Sequence, residues 1–365
     1  MENNIKKKQI RCIVSGGKTG GHLVPGIAIY EFFKEKEFDV KYILNDRDVK
    51  FPIVNRIAVE DRIFLSISSI SRRFSLKTIF DVLKIFFAFI KIFGKILRFN
   101  PDFVVITGGY VSNPVALSTI ILFKKLYILE QNSVAGVTNR FYAHFAKKVF
   151  TSFEKTLKIP EKKAFYTGNP ILFSEKPSLK ESREFFKFPF DAKVVGIISG
   201  SQGARVVNEV ALKILPILKE KNIFVVWSVG AIEYERLKLE KLEENVKIFP
   251  FIERMDYFYT AVDIVISRAG ATSISEILYF KVPSIFIPIK KSPDNHQYIN
   301  ASKLVEKNVA LILEEDLLNE NNLFLTVEKM LLNIDFYRNN FKNFPNEKRL
   351  PQEIICEEIE KICYN

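Results

Sequence analysis

The chain has 365 residues, 48% of them hydrophobic, enough for two full cores and two domains. Its three cysteines, Cys12, Cys356 and Cys363, match no metal or disulfide framework and suit a reducing compartment. The apolar run after the basic N-terminus is too short for a signal-peptide core, so a cytoplasmic chain is expected. The net charge of +12 is uneven: residues 1–165 carry 28 Lys and Arg against 14 Asp and Glu, residues 166–365 carry 26 against 28. An anionic partner is expected for the first half only, with nucleic acid, an anionic membrane and a phosphorylated substrate all open.

Gln9 to Ser15 reads as a buried strand feeding the loop Gly16-Gly17-Lys18-Thr19-Gly20-Gly21-His22. A helix follows from about Pro25, with proline in the first turn where its missing N–H costs nothing. The Gly-Lys-Thr in this loop is not a nucleotide P-loop, because Cys12 stands where that motif needs glycine. Strand, glycines and helix N-terminus nevertheless come in the order of a phosphate-cradling loop.

Ile79 to Phe99 is the most unusual stretch. At helical spacing Lys77, Lys84, Lys91, Lys95 and Arg98 fall within roughly 60° of one another, and Phe, Ile, Leu and Val fill most of the remaining circumference. That apolar face is wider than a surface helix needs, while the charges argue against a spanning helix. Ile79, Phe80, Leu83 and Phe87, with Lys84 and Lys91, form a candidate membrane face lying in the lipid interface. A helix sandwiched between a sheet and its neighbours is the competing reading. The nearby Arg72, Arg73 and Lys77 favour lipid.

Asp102 to Ile106 is a strand leading to a second glycine loop, Thr107-Gly108-Gly109-Tyr110-Val111-Ser112. Tyr127 to Leu129 is another, ending in Glu130-Gln131-Asn132 at the rim where open α/β sheets bind ligands. These polar residues could equally make the turn and cap the next helix. Lys148 to Ser152 is a last strand of the first half, and residues 171–191 have linker composition. The alternation restarts with Lys193 to Ile198 and a third glycine loop, Ser199-Gly200-Ser201-Gln202-Gly203-Ala204-Arg205. Strands follow near 224–227, 246–249, 264–266, 284–287 and 309–311, separated by helical stretches. Such alternation gives doubly wound parallel sheets.

In Ser267 to Glu276 a buried strand turns through Gly270 onto a helix start. Unpartnered N–H groups and the positive dipole end make an anion site there, and Glu276 is placed to accept two ribose hydroxyls. An ordinary strand-to-helix connection with a solvated glutamate is the plain alternative. The tail, Pro345 to Asn365, has Ile354, Ile355, Ile359 and Ile362 at helical spacing and should pack back on the body.

The set GGKTGGHLVPG, TGGYVSNP, EQNSVAGVTNR, TGNP, GSQGAR, PFIERM, SRAGATSISE and DNHQYINA, in this order, resembles the MurG family of peripheral membrane N-acetylglucosaminyltransferases. The resemblance spans roughly residues 10–305. It implies an α/β fold of the GT-B type, two Rossmann-like doubly wound parallel-sheet domains facing across a cleft. The expected division is an acceptor- and membrane-facing domain over 1–168, a linker over 169–191 and a UDP-GlcNAc-binding domain over 192–344. The helix over 345–365 would pack back on the first domain.

By the same resemblance the donor is UDP-N-acetylglucosamine. Ile252 would contact uracil, Glu276 the ribose, and Ser201 and Gln202 the diphosphate region. Ala271, Thr272, Ser273, Ile274, Ser275 and Glu276 would supply the phosphate-facing helix start. Gln297 would hold sugar hydroxyls, joined by Asn132 and by Thr19, Gly20 and Gly21. The acceptor implied is lipid I, undecaprenyl-pyrophosphoryl-MurNAc-pentapeptide, its diphosphate near Gly16, Gly17, Gly108, Gly109, Tyr110 and Ser112. The product would be lipid II, made at the cytoplasmic face of the inner membrane.

The implied reaction is one inverting displacement by the acceptor's C4 hydroxyl. His22 is the first candidate for proton acceptor, since its reference pKa near 6.5 suits the task, and Glu130 is the alternative. Either could instead serve only as a hydrogen-bonding residue. No cofactor or metal is expected, there being no convincing Asp-x-Asp-like pair. Two departures from the family stand out: Lys18 is an extra loop residue, and Leu172 occupies the place of an arginine for which Arg205 or Arg268 could substitute. A UDP-GlcNAc 2-epimerase, a glycosyltransferase acting on another lipid and a nucleic-acid-binding module are the competing classes. The last explains only the charge, and no nucleic-acid partner is expected.

Overall fold

The computed structural model describes residues 9–17, 19–67, 76–173, 175–200, 203–240, 242–344 and 349–364, with the backbone alone for 76–85 and 364. The chain divides into two compact units, one of residues 1–172 with 349–365, the other of residues 173–348.

The first unit runs β1 (Arg11–Gly16), α1 (Gly20–Glu35), β2 (Asp39–Asn45), β3 (Arg62–Leu65), α2 (Leu76–Phe99), β4 (Phe103–Gly108), α3 (Ser112–Ile121), β5 (Lys125–Glu130), α4 (Val137–Tyr142), β6 (Lys148–Thr151) and β7 (Ala164–Tyr166). The second runs α5 (Leu179–Phe185), β8 (Lys193–Ile198), α6 (Arg205–Glu220), β9 (Ile223–Ser228), α7 (Ala231–Leu237), β10 (Val246–Phe249), α8 (Met255–Ala261), β11 (Ile264–Ser267), α9 (Ala271–Phe280), β12 (Ser284–Phe286), α10 (His296–Val305), β13 (Ala310–Ile312), α11 (Glu320–Leu332) and α12 (Ile334–Asn340). The final helix, α13 (Pro351–Tyr364), belongs to the first unit.

The strands are near-continuous apolar runs because both faces of a parallel sheet are covered. Val104, Val105 and Ile106 on β4 are fully buried, as are Val225, Val226 and Trp227 on β9. Sheet order in the first unit is β3-β2-β1-β4-β5-β6-β7, and in the second β10-β9-β8-β11-β12-β13. Every described strand pairing is parallel. Each sheet thus reverses its strand order once, between β1 and β4 and between β8 and β11. The three glycine loops of the sequence leave the carboxyl ends of β1, β4 and β8, and the Gly270 turn leaves β11. All four stand at the reversals, where open α/β sheets bind ligands.

Aromatic packing links neighbouring strands of the first unit. Phe33 meets Phe103 edge-on at 5.7 Å between ring centroids, Phe103 meets Tyr127 at 5.9 Å, and Tyr127 stacks on Phe150 at 5.9 Å. Such pairs add about 0.5–1.5 kcal/mol each beyond their burial. The C-terminal helix closes the same core with Ile355, Cys356 and Ile359. Gln352 Nε2 donates to Ile171 O at 3.0 Å, Lys125 Nζ donates to Ile362 O at 3.0 Å, and Lys148 pairs with Glu358. Leu172 packs against this core as well, so its side chain serves packing.

The polar stretch after residue 172 contains a helix that its composition concealed. Ser178 accepts from Glu181 N while Glu181 Oε2 accepts from Ser178 N, a reciprocal cap that starts α5. Phe186 and Phe188 beyond it are buried, and Arg183 donates to Asp263 Oδ2 at 3.1 Å.

Among the described side chains of α2, Ala88, Ile92 and Ile96 pack into the core, with Phe99 partly buried against it. Phe86, Phe87, Ile90 and Leu97 are exposed, Phe87 by 65%. The helix is therefore not sandwiched over its described side chains. Ile79, Phe80, Leu83 and Lys84 have side chains outside the described residues, as do Lys18, Arg72 and Arg73 altogether.

Gly196, on the central strand β8, has no room for a side chain: a Cβ there would lie 2.6 Å from Phe258 Cζ and 2.9 Å from Val262 Cγ1. Gly196→Ala should destabilise the C-terminal unit by about 1–3 kcal/mol through overpacking. An earlier urea transition in that unit is the expected reading, and an unshifted midpoint contradicts it.

Candidate functional site

In the first unit the β1 and β4 loops are built into each other. A Cβ on Gly16 would sit 1.8 Å from Thr107 Oγ1, and one on Gly17 would sit 2.1 Å from Asp48 Oδ2. Thr107 Oγ1 donates to His22 O at 2.9 Å, Ser112 Oγ to Gly108 O at 2.8 Å, and Tyr42 OH to Gly16 O at 3.3 Å. Gly108 and Gly109 have φ of +102° and +79°, a region that side chains disfavour. Thr19 is the extended N-cap of α1, with Gly20 and Gly21 in its first turn. Tyr110 is half-buried, and burial, aided by Asp48, pushes its phenol up. The structure thus brings Gly16, Gly17, His22, Gly108 and Ser112 together.

Glu130 ends β5 and is buried. Its Oε1 accepts from Asn132 N at 2.9 Å and its Oε2 from Gly136 N at 3.1 Å and Asn139 Nδ2 at 2.9 Å. Burial raises its pKa, and these donors oppose the rise. A carboxylate occupied on both oxygens folds the 131–136 loop and is badly placed to receive a substrate proton. Of the two roles left open for Glu130, base or hydrogen-bonding residue, its four donors favour the second. Asn132, half-buried beside it, owes its position to this carboxylate.

His22 is half-buried, with Nδ1 3.2 Å from Gln131 Oε1. Gln131 was visible in the sequence only as a rim residue; its partner lies 109 positions away, beyond any local signal.

In the second unit the N-cap of α9 is Gly270, which has no side chain to satisfy the first N–H groups. Thr272 Oγ1 at this start is buried without a hydrogen-bond partner among the described residues. Ser275 Oγ is turned back to Ala271 O at 2.9 Å, while Ala271 and Ile274 are buried and Ser273 is half-buried. The β8 loop is held from behind, since Ser199 Oγ bonds Asn208 and accepts from Trp227 Nε1 at 3.3 Å. Gly203, at φ +81°, lies so close to Val229 O that a Cβ would approach it to 2.6 Å. Ser201 and Gln202 lie outside the described residues.

Glu276 is buried and accepts from Tyr259 OH at 2.9 Å. Burial lifts its carboxyl to about 7, against the pull of that hydrogen bond toward the ionised form. It is not the solvated glutamate of the plain reading. Tyr259, its partner on α8, carried no sequence signal. Ile252, in the loop before α8, is buried. Gln297 Oε1 accepts from Ile289 N at 3.0 Å, so its NH2 is the end suited to a sugar hydroxyl.

Of the two arginines considered in place of Leu172, Arg268 is committed: Nη1 donates to Ile287 O at 2.9 Å and Nη2 to Glu315 at 2.7 Å. Arg205 is exposed and held only in an i,i+4 pair with Glu209 among the described contacts.

A third feature is a set of exposed apolar residues on neighbouring helices of the first unit. Leu117 and Ile121 on α3, Phe123 just after it, and Val137 and Phe141 on α4 join Phe86, Phe87 and Ile90 of α2. Helix α2 packs on α3, and α3 on α4. The sequence pointed to α2 alone, because the other residues come singly in short helices. No helix among the described residues is long and apolar enough to cross a membrane.

Comparison with known proteins identifies the fold and the family. The glycosyltransferase family 28 N-terminal domain matches residues 12–151, and the family 28 C-terminal domain matches residues 194–353. A UDP-N-acetylglucosamine–N-acetylmuramyl-(pentapeptide) pyrophosphoryl-undecaprenol N-acetylglucosamine transferase from Thermosipho melanesiensis is 36% identical, over 96% of this chain and 98% of its own. Among solved structures, Acinetobacter baumannii MurG superposes with a TM-score of 0.72 at 22% identity, over 96% of this chain and 99% of its own. A UDP-GlcNAc 2-epimerase from Neisseria meningitidis, bound to UDP-GlcNAc, reaches 0.67 at 16% identity over 96% and 100%, a likeness of fold alone. With its two parallel-sheet units of the GT-B type and its near full-length identity to such enzymes, the chain belongs to the MurG family of N-acetylglucosaminyltransferases within glycosyltransferase family 28.

Proposed function

We propose that the chain transfers N-acetylglucosamine from UDP-GlcNAc to the C4 hydroxyl of the MurNAc sugar of lipid I, forming lipid II for peptidoglycan. The observation that carries this is the uncapped start of α9 at the strand-order reversal of the second sheet, with Glu276 buried one turn further on. The donor diphosphate lies against the N–H groups of Ala271 to Ser273. The Glu276 carboxylate takes the ribose hydroxyls, and Ile252 borders the uracil. As the bond to the sugar breaks, negative charge gathers on the leaving diphosphate, and preset N–H dipoles stabilise it without reorganising. The displacement inverts the anomeric carbon, and this charge stabilisation needs no metal.

The Gly16–Gly17 and Gly108–Ser112 loops receive the acceptor diphosphate, and His22 takes the proton of the attacking hydroxyl. Gln297 of the second unit contacts the transferred sugar. The exposed apolar residues of α2, α3 and α4, with Lys91, Lys95 and Arg140 among them, sit in the headgroup region of the anionic cytoplasmic leaflet, where the lipid-borne acceptor resides.

A radiolabelled UDP-GlcNAc assay with a lipid I analogue tests the assignment. A labelled disaccharide lipid should form with or without chelator. Donor epimerisation without transfer would overturn the reading, and loss of transfer on chelation would overturn its metal-free part.

Glu276 sets a pH dependence of known sign. Its folded pKa lies above the ordinary carboxyl value, so its contribution to stability is full below that value and is lost as pH rises through about 7. At pH 8 Glu276→Gln should stabilise the ligand-free chain by on the order of 2–3 kcal/mol. The same change should weaken donor binding about tenfold or more by removing a charged acceptor. Wild-type affinity should fall as pH drops from about 8 to 6, and that of the variant should not. Calorimetric titration across this range checks both, and a flat wild-type profile would contradict the ribose role.

Charge reversal at Lys84 and Lys91 should weaken binding to phosphatidylglycerol vesicles by roughly 1 kcal/mol or more per residue. Turnover of a soluble acceptor should be unaffected. Unchanged vesicle sedimentation would count against the membrane face.

A further inference from the structure

Gln131 follows the last residue of β5 and is buried. Its Nε2 donates to Thr107 O at 2.9 Å and to Leu129 O at 3.2 Å. Main-chain carbonyls only accept, so the amide NH2 must face them and Oε1 must point the other way. There it meets His22 Nδ1 at 3.2 Å. An amide oxygen cannot donate, so the proton of that bond belongs to Nδ1. In the neutral imidazole the lone pair is then on Nε2. This is the reverse of the tautomer favoured by a histidine side chain in water, so the protein must impose it.

The His22 backbone is held as well. Thr107 Oγ1 holds His22 O at 2.9 Å, and His22 N donates to Thr19 O at 3.1 Å. The Nε2 edge lies along the second glycine loop: a Cβ on Gly109 would stand 4.0 Å from Nε2, and one on Gly108 would stand 3.1 Å from Cε1. Both glycines have positive φ, so neither of these two positions presents a side chain beside Nε2.

We propose that Gln131 is a positioning residue that locks His22 in the Nδ1–H tautomer, making Nε2 the atom that receives the proton of the attacking hydroxyl. The proposal rests on the transfer reaction and on His22 as its base. In that step the acceptor O–H bond breaks and its proton goes to Nε2, giving imidazolium. The hydroxyl oxygen forms the new bond to the anomeric carbon, and the bond to the diphosphate breaks with its electron pair leaving on UDP. The Nδ1–H bond to Gln131 persists throughout. A neutral amide here orients the ring without the pull of a carboxylate, which would favour imidazolium before the acceptor arrives.

The test is long-range 1H–15N correlation spectroscopy of the full chain, whose three histidines are separable by His22→Ala. His22 should show the Nδ1–H pattern above its titration in the wild-type protein, a reading that needs no variant and no turnover. In Gln131→Leu the signal should move toward Nε2–H. The kcat should fall about tenfold, a part of the 10²–10⁴-fold that a general base contributes, with donor KM within about twofold. A wild-type Nε2–H pattern overturns the proposal, as does an unchanged His22 tautomer in folded Gln131→Leu. Near-normal turnover of His22→Ala would instead overturn the base assignment, and failure of the labelled transfer assay would overturn the reaction itself.

Discussion

A parallel sheet that reverses its strand order sends two adjacent loops in opposite directions and leaves a gap between them. Everything functional in this chain depends on that constraint being met twice. In the first unit the gap lies between β1 and β4, in the second between β8 and β11. At the start of α9 the N-cap Gly270 offers no side chain to the first backbone N–H groups, so a phosphate-bearing ligand is the natural occupant there. The glycines are there for approach: Gly16 and Gly203 sit where a Cβ would collide with Thr107 Oγ1 or with Val229 O.

Around each gap the protein tolerates buried polar groups that a purely structural core would avoid. Glu276 is held against Tyr259 with its carboxyl lifted to about 7, a cost in the empty protein that a ligand's hydroxyls would offset. Glu130 is as deeply buried, yet it is surrounded by donors from its own loop. The contrast separates two carboxylates that look alike in sequence. One is satisfied by the fold, and the other has a single protein donor among the described contacts and is poised for more.

Much of the architecture was legible in the sequence because its signals are short-range. Apolar runs, glycine breaks and helix starts come within about a dozen residues of one another, and the structure places Gly16, Gly108 and Ser199 at strand ends as those signals imply. The apolar excess of 79–99 was equally visible, since helical periodicity is local. What stayed hidden depends on contacts between distant residues. Gln131 and His22 are 109 positions apart, and Tyr259 reaches Glu276 only once α8 and α9 pack. Helix α5 was masked by polar composition, although its Ser178–Glu181 cap was readable. The sequence left two roles open for Glu130, because nothing local reveals that Gly136 and Asn139 fold back onto its carboxylate.

The central claim is that the uridine sugar is held at the strand-order reversal of the C-terminal unit. Hydrogen exchange of the full chain with and without saturating UDP-GlcNAc tests it most directly. The account predicts slowed exchange at the start of α9, residues 270–276, and around Ile252 to Tyr259. Protection confined to the loops of the N-terminal unit, or none in the C-terminal unit at saturation, would contradict it.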